Sequence, residues 1–204
     1  MNSIKYLQND LFETSYRQSK GLIFERKDLM KKIIVSIIII FTVLIGCKTS
    51  SNSSDSKKLE IVFESKSNST VTGTASFIEK NGKVTFVAKM TGLKPGVHAI
   101  HIHEKSDCTA ADGSSAGGHW NPTFKNHGKW GSESYHKGDI GNFTADENGN
   151  GTITLTTDQW CIGCGDPAKD ILGKGLIVHQ GTDDYVSQPA GNAGARVACS
   201  AIIK

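Results

Sequence analysis

Between His101 and His179 the chain carries six of its seven histidines, and any fold it adopts has to accommodate that concentration. The run is His101-Ile102-His103, then His119 within Gly117-Gly118-His119-Trp120-Asn121-Pro122, then His127, His136 and Asp139, with His179 far downstream. Imidazole nitrogens favour copper and zinc among the common metals, and carboxylate oxygen is a usual companion ligand for zinc. Six histidines and one aspartate so spaced have the pattern of a two-metal site, and the chain reads as a metalloprotein. Only His98 lies outside the set.

The 204 residues have room for one ordinary domain and a leader. Abundant glycine (22) and a hydrophobic fraction of 37% point to a loop-rich β domain rather than a disordered chain or a bundle of membrane spans. The formal charge of +3 is misleading. From Cys47 onward 16 Lys and Arg meet 16 Asp and Glu, so the excess lies in the leader and nucleic acid is not expected as a partner.

Residues 1–29 have no signal-like pattern and read as a non-native or unstructured extension, leaving Met1 and Met30 both open as the start. Met30-Lys31-Lys32 is followed by an apolar run from Ile33 to Ile45. This is shorter than the roughly 20 residues of a membrane span and suits a secretory signal. It ends Leu44-Ile45-Gly46-Cys47, which resembles the bacterial lipoprotein processing box. Residues 30–47 are then a lipoprotein signal peptide ending at a lipidated Cys47; the other reading is an uncleaved N-terminal anchor. Both place the domain outside the cytoplasm on a bacterial membrane, on its periplasmic or cell-surface side. Residues 48–58 form a Ser-rich linker, and the domain is expected over 59–204.

From Leu59 the pattern is strand-like. β-Rich runs cover Leu59 to Phe63, Val71 to Ile78, Val84 to Met90, Gly151 to Thr157, Gly175 to His179 and Arg196 to Ile203. Asn81-Gly82 is a strong hairpin turn, and Asp146 to Gly149 is another turn. No window sustains a 3.6-residue apolar period, and there are no internal repeats. The expectation is an all-β sandwich or barrel with two long loops, about 104–137 and 180–195. On a strand His101 and His103 point to one face and can bind one ion.

Four segments carry a resemblance to a known family: Gly96 to Glu104 (GVHAIHIHE), Gly117 to Pro122 (GGHWNP), His136 to Asn142 (HKGDIGN) and Gly191 to Cys199 (GNAGARVAC). Together they resemble copper/zinc superoxide dismutase over roughly residues 60–204. The resemblance implies a Greek-key β-sandwich or barrel, with one copper and one zinc ion per subunit. It implies copper on His101, His103, His119 and His179. Zinc would take His119, His127, His136 and Asp139, with His119 bridging the two as an imidazolate. Zinc would be structural and electrostatic, and copper alone would pass electrons.

The same resemblance aligns Asp183 with a carboxylate that hydrogen-bonds one copper-ligand and one zinc-ligand histidine; the adjacent Asp184 is the alternative register. It aligns Arg196 with an arginine that attracts and orients a small anion beside copper. His98 aligns with a packing position near the metal loops. The implied reaction is dismutation of superoxide to oxygen and hydrogen peroxide by Cu(II)/Cu(I) cycling, with His119 taking up and returning a proton. The 180–195 loop has no lysine, so substrate steering is expected from Lys125, Lys129 or Lys137.

Four cysteines remain besides Cys47 and allow three pairings. The resemblance selects a Cys108–Cys199 disulfide, compatible with an extracytoplasmic domain. Cys161-Ile162-Gly163-Cys164 admits a local disulfide, free thiols or a site that handles Cu(I). A homodimer and a monomer both stay open. The rival reading is a non-enzymatic copper/zinc-binding module on the same fold, set apart from the enzyme by whether the metal-loaded protein turns over superoxide.

Overall fold

Alternate residues of the first strands are apolar, and that periodicity is what closes the sheet on itself. The structure, a computed structural model, describes residues 56–204; the extension 1–29, the leader 30–47 with Cys47 and most of the linker lie outside the described residues. Eight strands form: β1 (Lys57–Ser65), β2 (Thr72–Lys80), β3 (Lys83–Thr91), β4 (Gly96–His103), β5 (Gly141–Ala145), β6 (Gly151–Thr157), β7 (Lys174–His179) and β8 (Arg196–Ile202). They pair antiparallel in the order β1-β2-β3-β6-β5-β4-β7-β8 and close into a barrel. The β3–β4 and β6–β7 connections each pass over strands to reach a non-neighbour, the Greek-key crossings expected from the resemblance.

Leu59, Ile61, Phe63, Phe77, Phe86 and Met90 point inward and meet Ile100, Ile102, Leu176, Val178 and Ile202 in one buried core. Phe77 and Phe86 lie 5.0 Å apart by ring centroids, and Trp160 packs on both at 6.3 and 6.2 Å. Burying one such ring contributes about 1.5–3 kcal/mol. The Asn81-Gly82 hairpin forms with both residues at positive φ (53° and 72°), the geometry a two-residue turn requires.

Three features differ from the sequence expectation. β1 begins at Lys57, two residues inside the segment read as linker, because Lys57 pairs with Glu79 across the ladder (Nζ–Oε2 3.4 Å). The first long loop runs to residue 140, since the short β5, with its Gly141 and Asn142, lacks a clear apolar alternation. The connection 158–173 is a third long loop. Its Trp160, Ile162 and Ile171 are buried in the barrel core.

Strand β4 is buried on both faces. Ile100 and Ile102 face the core, while His101 and His103 face outward beneath the 104–140 loop and are still only 0% and 1% exposed. A smaller cluster, Ala116, Ile177 and Cys199 with Cys108, packs under the same loop. Cys108 and Cys199 are joined by a disulfide there, and so are Cys161 and Cys164.

Candidate metal centre

The 104–140 loop is laid along β4 by backbone hydrogen bonds. Glu104 N donates to Gly118 O (3.0 Å), Trp120 N to Ile102 O (2.8 Å) and Ile102 N to Gly138 O (2.9 Å). These bonds set His119 opposite His103 as an antiparallel bridge and bring Asp139 in behind. The approach at Gly138 leaves no room for a side chain, since a Cβ there would lie 2.1 Å from Ile102 O. On the other side His101 pairs with Ile177 and His103 with Gly175 across the β4–β7 ladder. A bulge after Val178 then turns His179 toward them, opposite Arg196 of β8.

Two groups of buried side chains result, each with its candidate ligand atoms within 4.8 Å of one another: His101, His103, His119 and His179, and His119, His127, His136 and Asp139. His119 belongs to both. In each of the six histidines one buried ring nitrogen has no hydrogen-bond partner: Nδ1 of His101, His127 and His136, and Nε2 of His103, His119 and His179. The opposite nitrogens are taken. His101 Nε2 donates to Asp183 Oδ2 (2.9 Å), His127 Nε2 to Asp183 Oδ1 (2.9 Å) and His103 Nδ1 to Gly117 O (2.9 Å). His136 Nε2 meets Lys125 O (3.0 Å), and His179 Nδ1 meets Gly194 O (3.3 Å). Carbonyl and carboxylate oxygens only accept, so the outward nitrogens carry the protons and the inward ones present lone pairs wherever the ring is neutral; His127, with Asp139 Oδ2 3.0 Å from its Nδ1, must give up a second proton to do so. A buried lone pair without a donor is costly, and six converging ones fit cations. The donor sets, four imidazoles and three imidazoles with a carboxylate, suit copper and zinc.

Charge follows the same plan. Burial is the largest influence on His103, His119 and His179 and lowers their basicity, His119 to about 4, so all three are neutral at pH 7. Burial also opposes charge on His127, yet the Asp139 and Asp183 carboxylates against its two ring nitrogens outweigh it and raise it to about 9. Burial likewise resists ionisation of Asp139, but His119, His127 and His136 around it hold its carboxyl far below the ordinary range. Its oxygens lie 2.8 Å from His119 Nδ1, 3.0 Å from His127 Nδ1 and 3.2 Å from His136 Nδ1.

Asp183, rather than the exposed Asp184, spans the two groups. Asp184 instead caps its own loop, accepting from Ser187 and Val186. Three contributors had no role assigned from sequence. Asn142 holds Asp183 at both ends of its backbone, with Asp183 N to Oδ1 and Nδ2 to Asp183 O, both 2.8 Å. Gln188 pairs with the backbone of His127, accepting at 2.8 Å and donating at 3.0 Å. Gly191, at φ 68°, would place a Cβ 1.8 Å from Asp183 Oδ1. Asn142 and Gly191 sit inside motifs singled out in the sequence; Gln188, 61 residues from its partner, left no local signal.

A cavity of about 560 Å³ opens over this centre, lined by His103, His119, His136, His179, Lys125 and Arg196 among others. Arg196 is fixed there by Nη1 to Gly113 O (2.7 Å) and Nη2 to Gly117 O (2.8 Å). Of the three lysines considered for steering, Lys125 lines the cavity with its ammonium donating to Glu133 O (3.1 Å), and the Lys137 ammonium is engaged by Gln159. His98 is buried against backbone, 3.0 Å from His179 O and 2.8 Å from Lys94 O.

Comparison with known proteins agrees with this geometry. The sequence profile of copper/zinc superoxide dismutase matches residues 71–202. "Superoxide dismutase [Cu-Zn] 2" of Aquifex aeolicus (strain VF5) is 39% identical over 137 residues, covering 65% of this chain and 79% of that protein. A solved structure described as that of the clock protein EA4 superposes with a TM-score of 0.63 at 35% identity, over 71% of this chain and 92% of that one. A barrel with two histidine-rich groups sharing one imidazole, matched along its length by these relatives, belongs to the copper/zinc superoxide dismutase family, whose enzymes convert superoxide to oxygen and hydrogen peroxide.

Proposed function

We propose that in this superoxide dismutase His101, His103, His119 and His179 hold copper, and His119, His127, His136 and Asp139 hold zinc. The observation that carries the assignment is the set of six inward, unpartnered ring nitrogens. When bound, copper supplies a one-electron couple and zinc a fixed positive charge. The chain's own residues supply the rest. His119 Nδ1 is bonded only to Asp139 Oδ1 and its Nε2 to nothing, so the ring can serve both groups once Nδ1 gives up its proton. Its weak basicity makes Nε2 a place to hold a proton briefly and release it. Asp183 fixes the rings of His101 and His127 together, one from each group. Arg196 keeps guanidinium N–H groups beyond its two carbonyl bonds with which to orient a small anion in the cavity. Lys125 adds positive potential at the rim.

The test is the dismutation rate of copper- and zinc-loaded protein against His119→Ala. A fall of about 10²–10⁴-fold, with copper still bound, is expected on loss of a positioned proton carrier and shared ligand. Loaded protein that binds both metals yet shows no turnover in the unsubstituted form would overturn the reading.

The leader supports a second element of the proposal: Cys47 is lipidated and tethers the domain to a bacterial membrane outside the cytoplasm, on its periplasmic or cell-surface side. Two disulfides in the described residues fit an oxidising compartment. Cys47→Ser should move the protein from the membrane to the soluble fraction; continued membrane association would favour the uncleaved anchor.

A further inference from the structure

The Cys161-Ile162-Gly163-Cys164-Gly165 turn is absorbed neither by the barrel nor by the histidine centre, and it is built more carefully than a surface loop needs. Cys161 is buried and clipped into a short parallel bridge, its N–H donating to Lys169 O (2.9 Å) and its carbonyl accepting from Ile171 N (3.1 Å). Cys164 is exposed. Gly163 and Gly165 take positive φ (66° and 76°), which curls the chain around the sulfurs. Asp170 accepts from Gly163 N and Gly165 N at 2.9 Å and from Leu172 N at 3.1 Å. Lys57 Nζ ties down the turn through Ile162 O at 2.9 Å. These contacts do not depend on the sulfur–sulfur bond, so they keep the two sulfurs close when that bond is open.

The sulfurs of Cys161 and Cys164 and a carboxylate oxygen of Asp170 lie within 4.8 Å of one another, which makes a third group of candidate ligands among the described residues. We infer that the reduced Cys161–Cys164 pair is a second, separate metal site that takes up monovalent copper. Two thiolates satisfy a soft d¹⁰ cation that accepts low coordination, whereas a structural zinc site calls for four protein ligands. Only three are grouped here, and the Asp170 carboxylate is already engaged by three N–H groups. The Lys57 ammonium and the Lys204 amine, which lies by Gly163, offset the charge of two thiolates.

The site is opened by reduction. A dithiol reductant attacks the exposed Cys164 sulfur, the Cys161–Cys164 bond breaks and Cys161 leaves as thiolate. The reductant supplies both electrons and closes to its own disulfide. Two protons are taken up to give the dithiol, and both are released when the sulfurs bind Cu(I).

The test titrates Cu(I), against a chromogenic Cu(I) chelator, into full-length protein whose histidine centre is already loaded. The disulfide form should take no further copper. After dithiol reduction it should take one added equivalent, with a thiolate-to-copper charge-transfer band in the ultraviolet. The double variant Cys161→Ser, Cys164→Ser, reduced in the same way, should lose both the equivalent and the band while keeping its dismutase rate. Because it retains Cys108 and Cys199, copper taken by those thiols would appear in it equally. Equal uptake by the two proteins, or no uptake by either, overturns the inference. So does Zn(II) displacing the added Cu(I), which would make the turn a zinc site.

Discussion

The outer faces of β1 and β4 are built on the same alternation and end in opposite conditions. On β1 the outward Glu60, Val62 and Glu64 are exposed, and the two carboxylates meet solvent and the lysines Lys58 and Lys66. On β4 the outward His101 and His103 are as buried as the inward Ile100 and Ile102. A polar face can be buried only if something satisfies it. Loop backbone, Asp183 and Gly117 satisfy half of each ring, and the other half is left for cations. The barrel interior is therefore satisfied by its own apolar packing, whereas the covered face of β4 depends on what binds there.

This contrast can be broken most forcefully from the interior. Phe86→Ala should cost about 3–5 kcal/mol of unfolding free energy in metal-free and metal-loaded protein alike, because it removes apolar contacts and leaves a cavity. A thermal-unfolding loss that disappeared on loading would show that the two regions are not independent. On the covered face the expected cost is one of affinity. Asp183→Asn leaves one acceptor oxygen for two ring N–H groups, so copper and zinc affinities should both fall, by about 10–100-fold, in chelator competition. A fall in only one metal would mean that Asp183 supports a single ligand.

Arg196→Lys separates anion handling from metal holding. An ammonium cannot reproduce the two-carbonyl geometry of the guanidinium, and the dismutation rate should drop about tenfold, the cost of roughly one charge-assisted hydrogen bond. Metal content should not change.

The gentlest perturbation is a change of pH. His127 is raised to about 9 in the metal-free domain, and zinc requires it deprotonated. Zinc affinity should accordingly climb with pH, by up to about tenfold per unit, and level off near 9. The imidazolium form of His119, lowered to about 4, adds no such slope above neutrality, although holding both metals would release its Nδ1 proton as a separate step. A zinc affinity that is flat from pH 6 to 9 would place the His127 proton elsewhere.

The readable part of the molecule was whatever repeats along the chain. Two-residue alternation exposed β1, β2 and β3, and Asn81-Gly82 marked their hairpin, because both are local consequences of backbone geometry. The candidate ligand residues stood out because few folded chains concentrate histidine in this way, and the fold brings them together in two groups. Less visible was what acts across sequence distance. The short β5 gains its place from β4, with Ala99 opposite Asn142 and Ile100 opposite Gly141, and its own residues carry little strand signal. In the loop 158–173 only the two cysteines stand out in the sequence, yet Trp160 plugs the barrel and donates from Nε1 to Lys137 O at 2.9 Å, next to His136. The pairing of Gln188 with His127 is likewise a property of the folded chain alone.

One carbonyl oxygen joins the two jobs of the centre. Gly117 O receives both Nη2 of Arg196 and Nδ1 of His103. The arginine proposed to orient the anion and a ring proposed to hold copper thus hang from the same peptide. A loop change that shifts this peptide to retune one must also retune the other. Sequence drift around Gly117 is therefore free to preserve the two functions jointly or lose them jointly, and the loop has little scope to trade one against the other.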